Sequence, residues 1–130
     1  MRLKTISMAF ALLACSATST PLLAYGSSGG STSCAEARFY NESPARNSTV
    51  AALTEFSVTA SDNTEMATLV VQINGEKVQP VVTAKRSGDF LIQVKLNNPL
   101  TQAGKARITL KAKSKEGCET FEPLYVDIKP

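Results

Sequence analysis

Histidine and tryptophan are both absent from the 130-residue sequence, and methionine and cysteine occur only three times each. The absence of histidine removes the commonest general base and the commonest ligand of transition metals. The absence of tryptophan excludes the antibody-type core, in which a buried tryptophan packs against an inter-sheet disulfide. No nucleophile motif occurs, and the carboxylates are scattered along the chain. We therefore expect no enzymatic activity and no catalytic residues.

Long apolar runs are also absent. The run Ile6–Cys15 is much shorter than the roughly 20 residues that a membrane-spanning helix needs. It follows a basic start at residues 1–4 and precedes a small, polar segment that is broken by Pro21. This order is typical of an export signal, so we expect residues 1–24 to be a signal peptide that is cleaved after Ala24.

Two processing routes remain open for the exported chain. Cleavage after Ala24 would give a free periplasmic or secreted protein, which is the route we favour. Alternatively, Leu12-Leu13-Ala14-Cys15 resembles a bacterial lipobox, in which case a lipid on Cys15 would anchor the protein to the envelope. Removing residues 1–24 lowers the formal net charge from +3 to +1. A chain so close to neutral gives no reason to expect a nucleic-acid or acidic-membrane partner.

The segment 25–33 is so rich in glycine and serine that it cannot bury enough surface to become ordered, and we interpret it as a flexible leader. The remaining domain, 34–130, contains only Cys34 and Cys118. Two cysteines in an oxidising compartment are expected to form a disulfide. On the chain-entropy account a closed loop of this length contributes about 4–5 kcal/mol. The alternative is a redox-active or metal-binding thiol pair, which the absence of histidine and of Cys-x-x-Cys disfavours.

Alternating apolar residues predict a single all-β domain. The segment Thr68–Val78 contains the clearest hairpin, because Asn74-Gly75 offers the two positive-φ positions of a type I′ turn. We expect it to be a central strand and its return, with Pro80 placing the return at a sheet edge. No segment has a clear helical period, and helix is expected at most as a single turn that closes the loop at 99–103. The predicted strands are Ala35–Tyr40, Thr54–Ala60, Thr68–Ile73, the return from Glu76, Asp89–Leu96, Lys105–Lys113 and a last strand that buries Leu124, Val126 and Ile128.

These seven strands, separated by turn signals, predict a two-sheet antiparallel sandwich. Two parts of the chain also resemble immunoglobulin-like modules of exported bacterial proteins, akin to fibronectin type III and cadherin folds. They are Phe56–Asp62 together with Leu69–Gly75, and Leu100–Ala112. The resemblance implies a seven-stranded immunoglobulin-like β-sandwich. It implies little about function, because that fold supports many activities.

Alternating strand directions would bring Cys34 and Cys118 to one end of the sandwich. The opposite end would carry the turn-rich segment Asn41–Leu53, the Asn74-Gly75 turn and Asn97–Gly104. In a tethered protein that end would point away from the anchor, so we expect a partner to dock there. The candidate partner surface consists of Asn41, Arg46, Asn47, Asn74 and Asn97.

Three other groups of residues have possible binding roles. The basic stripe Lys105, Arg107, Lys111 and Lys113 could meet an anionic polymer, but at a net charge of +1 we favour a solvated outer face. Asp62, Asn63 and Glu65 could contribute to a calcium site, but acidic ligands are sparse and calcium needs 6–8 oxygens. Copper needs soft or imidazole ligands, but the sequence has no histidine, and Met66 is the only methionine beyond the signal. We therefore expect no metal and no cofactor.

The leading hypothesis is a non-enzymatic exported module that binds or scaffolds another envelope protein. The rival hypothesis is a periplasmic carrier or sensor of a small ligand, either a metal ion or a sugar.

Overall fold

Every regular element in the structure, a computed structural model that describes residues 34–130, is a β-strand. The predicted all-β class is confirmed, and no helical turn forms at 99–103. Within the described part of the chain no helix is long and apolar enough to cross a membrane. The predicted signal peptide, leader and lipid-attachment residue Cys15 lie outside the described residues. The strands are β1 (Phe39–Ser43), β2 (Thr49–Val50), β3 (Leu53–Ala60), β4 (Thr64–Ile73), β5 (Glu76–Val78), β6 (Val81–Ala84), β7 (Phe90–Leu100), β8 (Gly104–Ser114) and β9 (Glu119–Ile128).

The strands form two sheets that pack as a sandwich, as predicted. One sheet has four strands in the order β1-β3-β7-β6, and the other has five in the order β2-β9-β8-β4-β5. Neighbouring strands pair antiparallel, except that β2 pairs parallel with β9 through Thr49–Asp127 and Val50–Ile128. The strand at the middle of the larger sheet is β8. The expectation that β4 is central is wrong, because β4 lies next to the short edge strand β5.

The core lies between the sheets and consists of alternate residues of the long strands. The inward positions predicted for β3, β8 and β9 are each at most 3% exposed. Burial of a large aliphatic side chain of this kind contributes about 1.5–3 kcal/mol, so this alternation is the main source of stability. These residues are Phe56, Val58, Ala60, Ala106, Ile108, Leu110, Ala112, Leu124, Val126 and Ile128.

The return of the predicted hairpin is divided between the two sheets, which is one reason why nine strands form instead of seven. Asn74 and Gly75 have φ angles of 50° and 86°, as a type I′ turn requires, and β5 then pairs with β4. At Gln79-Pro80 the chain crosses to the other sheet, where β6 pairs with β7. Proline has no amide donor and cannot continue a ladder, so the crossing occurs there. Both β5 and β6 are outermost strands, which confirms the predicted edge position.

The segment Asn41–Leu53 is less irregular than predicted. The first strand begins at Phe39 and continues to Ser43, and β2 accounts for the second additional strand. The pairing of β1 with β3 shifts register between Tyr40 and Ser43, where Asn41 has a φ of 57°. Asparagine tolerates this left-handed conformation, so a bulge forms there and β1 continues beyond it.

The predicted break at Asn97-Asn98-Pro99 is also wrong, because β7 continues to Leu100. Leu53 pairs with Leu100 and Glu55 with Lys95, so the extra residues of β7 form a bulge between these pairs. A bulge leaves residues out of the ladder and therefore accommodates the missing amide donor of Pro99.

Candidate functional site

One end of the sandwich brings together the two cysteines of the described chain. Cys34 precedes β1, and Cys118 follows the turn Ser114–Gly117 between β8 and β9. A disulfide joins them across a sequence separation of 84, and their Cα atoms lie 6.0 Å apart. That separation is normal for a disulfide. The alternation of strand direction therefore brings both cysteines to the same end, as predicted.

Hydrogen bonds between three chain segments hold the cysteines in place. The amide of Lys115 donates to the carbonyl of Asn63 (2.7 Å), and Nδ2 of Asn63 donates to the carbonyl of Glu36 (3.0 Å). The amide of Cys118 donates to Oγ of Ser114 (3.1 Å). The segment before β1, the β3–β4 loop and the β8–β9 turn are thus connected around the disulfide.

Glu116 brings a carboxylate, which can also bind a metal, close to the two cysteines. Its Oε2 accepts a hydrogen bond from the amide of Ala35 (2.7 Å), the residue next to Cys34. A carboxylate oxygen of Glu116 and both cysteine Sγ atoms lie within 4.8 Å of one another. Cys34 and Glu116 are exposed and Cys118 is half-buried, so solvent reaches all three. We call Cys34, Glu116 and Cys118 the cysteine cluster.

Among residues 34–130, the cysteine cluster is the one group of three histidine, cysteine, aspartate or glutamate side chains close enough to share a metal ion. The candidate calcium ligands Asp62, Asn63 and Glu65 do not form such a group. The Asn63 side chain is already occupied by hydrogen bonds with Ser61 and Glu36. Met66 is the one methionine among residues 34–130, so these residues form no methionine cluster, and its side chain packs partly buried against the core. In the disulfide form the cysteines carry no thiolate, which is the sulfur species that binds metals.

Arg46, one of the predicted partner residues, forms ion pairs within the chain. Its Nη2 lies 2.7 Å from Oε1 of Glu122 on β9 and also contacts Oε1 of Glu42 on β1. The hydrogen bond to Glu42, followed by that to Glu122, raises the pKa of Arg46 above its ordinary value. Arg46 therefore links β1 of the four-stranded sheet to β9 of the five-stranded sheet.

Two of the predicted asparagines shape backbone turns. Asn47 has a φ of 63° and its amide donates to the carbonyl of Tyr125 (2.6 Å). Oδ1 of Asn74 accepts from the amide of Arg107 (2.9 Å). Because Tyr125 and Arg107 are register partners, Asn47 and Asn74 flank one row of the five-stranded sheet. Asn41 and Asn97 are exposed and belong to the four-stranded sheet, so the five predicted residues are divided between the two sheets.

The basic stripe lies on the outer face of β8, where Lys105, Arg107, Lys111 and Lys113 are all exposed. Lys113 forms an ion pair with Glu119, with Nζ 4.0 Å from Oε1. The neighbours of this stripe on β9 were not predicted from the sequence: Phe121 pairs with Lys111, and Tyr125 pairs with Arg107. Their alternation with the inward residues of β9 is the signal that could have identified them.

A cleft of about 510 Å³ opens beside the segment Asn41–Leu53. Pro44 and Val50 of that segment contribute to its lining, together with Ser57 of β3 and Gln93 of β7. Concave surfaces of this size are the usual places where proteins receive small molecules or single side chains.

Comparison with known proteins gives a likeness of fold. No protein-family model matches the chain, and no curated protein matches its sequence. The structure is similar to PcoC, a methionine-rich copper resistance protein from Escherichia coli, with a TM-score of 0.57 at 17% identity over 73% of this chain and 100% of that chain. It is also similar to CopC from Methylosinus trichosporium OB3b, with a TM-score of 0.54 at 16% identity over 72% of this chain and 94% of that chain. At these identities the likeness establishes the sandwich fold.

Proposed function

We propose that this chain is a non-enzymatic, exported carrier of a metal ion, and that its dithiol form binds Cu(I) through Cys34 and Cys118. The observation that carries the proposal is the cysteine cluster, because it is the one group in residues 34–130 with the proximity to share a metal. Of the two functions that the sequence suggests, carrier and scaffold, the likeness to PcoC, a copper resistance protein, favours the carrier.

The donor chemistry limits which metal can be carried. PcoC is described as rich in methionine, whereas this chain has a single methionine, Met66, after the predicted signal and no histidine at all. The soft donors that remain are the two cysteine sulfurs, and thiolates select Cu(I) among the copper oxidation states. Two thiolates suffice for Cu(I), so we assign Glu116 the role of holding Ala35, and with it Cys34, in position.

Metal binding by the cysteines requires reduction of the disulfide. A dithiol reductant of the envelope would supply two electrons, and two protons would complete the two thiols. Binding of Cu(I) then releases the thiol protons. The two cysteines are outside the hydrophobic core, which extends over both sheets, so the sandwich can remain folded in the dithiol form.

The test is an anaerobic Cu(I) titration against a competing chelator, performed on the oxidised and the reduced protein. We expect one Cu(I) per reduced chain and none on the oxidised chain. Cys34→Ser with Cys118→Ser should abolish binding, while Met66→Leu, the matched control for the remaining soft donor, should leave it unchanged. Glu116→Gln keeps the hydrogen bond to Ala35 and should change affinity little. Failure of the reduced protein to bind Cu(I), or equal binding by the oxidised protein, would contradict the proposal.

A second candidate function is binding of another envelope protein, which the 510 Å³ cleft favours. A photo-crosslinking residue in place of Gln93, inside the cleft, should give an adduct of one defined mass in cells. The same residue in place of Lys77 on β5, in the other sheet, should give none. Equal labelling from both positions would indicate non-specific contact.

Export, processing and the finer resemblance complete the proposal. Residues 1–24 would be the signal peptide, 25–33 the flexible leader, and 34–130 an immunoglobulin-like domain akin to fibronectin type III and cadherin modules. The protein would act in the periplasm or outside the cell. Intact mass distinguishes the processing routes, because a chain that begins at Tyr25 is free, whereas one that begins at a lipid-modified Cys15 is anchored.

A further inference from the structure

The outer face of the five-stranded sheet exposes two aromatic side chains that the core does not use. Phe121 is 64% exposed and Tyr125 is 39% exposed, while Leu124 and Val126 between and beyond them are buried. Pro123, also exposed, lies between the two rings on the same face of β9. Phe121 and Tyr125 are four residues apart, and with a rise of about 3.2–3.4 Å per residue the two rings are about 13 Å apart along the strand. They therefore form a flat apolar row on the surface.

Positive charge lies directly beside this row. Arg107 pairs across the strands with Tyr125, and Lys111 pairs with Phe121. Cross-strand neighbours have Cβ atoms about 4.5–5.5 Å apart, so each cation lies next to a ring. Between these two pairs, the buried hydroxyl of Thr109 donates to Oε1 of Gln72 (3.5 Å), and the half-buried Gln72 supplies an amide group to this face.

The acidic residues of this face lie at its ends. Asp127 is opposite Lys105, and Glu119 is opposite Lys113. Glu65 also pairs with Lys113. Of the salt bridges recorded within residues 34–130, none involves Arg107 or Lys111. The centre of the face thus combines two aromatic rings with two cations that have no carboxylate partner.

We propose that this face binds an anionic polysaccharide. The C–H face of a sugar ring can stack on an aromatic side chain, a hydroxyl group of the sugar can bond to the Gln72 amide, and Arg107 and Lys111 match its carboxylates. Two rings about 13 Å apart on one strand suit an extended polymer that crosses more than one sugar unit. The proposal does not depend on metal binding, because the face and the cysteine cluster share no residue.

The position of the rings favours a polymer over a lipid bilayer. Phe121 and Tyr125 lie within β9 rather than at a loop tip, so they form part of a flat sheet and do not project beyond it. Insertion into a headgroup layer needs projecting apolar residues. A linear polymer needs only a flat platform with rings and cations along it.

Affinity electrophoresis of the exported protein tests the proposal, with polygalacturonate as the charged polymer and dextran as the neutral one. We expect retardation by polygalacturonate and little by dextran. The double substitution Phe121→Ala and Tyr125→Ala should weaken binding about tenfold or more, because the loss of each ring removes a stacking contact. Phe121→Tyr with Tyr125→Phe retains both rings and should retain binding.

Charge variants separate this face from general electrostatic attraction. Arg107→Gln with Lys111→Gln should weaken binding and reduce its salt dependence. Lys85→Gln with Lys95→Gln removes the same charge from the four-stranded sheet and its adjoining loop, and should leave binding unchanged. Circular dichroism of each variant checks that the fold is intact.

Three results would overturn the proposal. The first is no retardation by polygalacturonate. The second is equal weakening by the two charge variants with no effect of the alanine pair, which would indicate non-specific attraction. The third is tighter association with phosphatidylglycerol vesicles than with the polymer, which would make the face a lipid-binding surface.

Discussion

Different kinds of bond stabilise the two ends of the sandwich. At the cysteine end, the covalent Cys34–Cys118 bond joins the segment before β1 to the β8–β9 turn. At the hairpin end, defined by the Asn74-Gly75 turn and β2, the contacts are hydrogen bonds such as that from the amide of Lys129 to the carbonyl of Val50 (2.9 Å). Two electrons can open the first end without any change in sequence. The proposed redox control of Cu(I) binding therefore depends on the cysteine end.

The largest expected difference between the ends comes from removal of the disulfide. Cys34→Ser with Cys118→Ser should lower the free energy of unfolding by about 4 kcal/mol, since the closed loop is long. Urea unfolding followed by circular dichroism measures this, and reduction of the unmodified protein should produce the same loss. If reduction lowers the free energy of unfolding much less than the serine pair does, the serines themselves disturb this end. The comparison of the two ends then fails.

A matched pair of glycine variants compares the turns at the two ends. Gly75 and Gly117 have φ angles of 86° and 91°, and an added Cβ would meet no atom within 4 Å at either position. Each alanine variant should therefore lose about 1 kcal/mol of stability from backbone strain alone. Only Gly117→Ala disturbs the turn beside Cys118, so only that variant should also weaken Cu(I) binding. If Gly75→Ala weakened Cu(I) binding as much as Gly117→Ala, this would contradict Cu(I) binding at the cysteine end.

The smallest expected effect is that of Arg46, which joins β1 to β9 at the surface. Arg46→Gln should lower the free energy of unfolding by less than about 1 kcal/mol, because exposed ion pairs contribute little. The neighbouring carboxylates raise the pKa of Arg46, so its contribution is complete below the ordinary value and is lost only as the pH rises through the raised value. The loss should therefore be the same at pH 7 and pH 9 in urea unfolding. A loss that disappears between these values would contradict the assignment.

The sequence predicted those parts of the fold that depend on local alternation. The inner faces of β3, β8 and β9 follow from period-2 patterns, and the Asn74-Gly75 turn follows from two residues that accept positive φ. The meeting of Cys34 and Cys118 at one end follows from strand direction. Each of these inferences uses information contained in one short segment or in the count of strands.

The parts that could not be predicted depend on contacts distant in sequence. The crossing at Pro80 is decided by the pairing of β6 with β7, and the two-residue strand β2 exists only because β9 lies beside it. The position of Glu116 near both sulfurs likewise depends on how the β8–β9 turn meets the segment before β1. The exposure of Phe121 could be predicted from the alternation along β9. Its pairing with Lys111 could not, because it depends on the register between β8 and β9.

Native mass spectrometry of a mixture tests the central claim most directly. Equal amounts of oxidised and reduced protein, which differ in mass by two hydrogens, would receive less than one equivalent of Cu(I) under anaerobic conditions. If Cys34 and Cys118 bind the metal, the copper adduct will form on the reduced species only. Copper divided equally between the two species would show that the metal binds elsewhere and that the disulfide has a structural role alone.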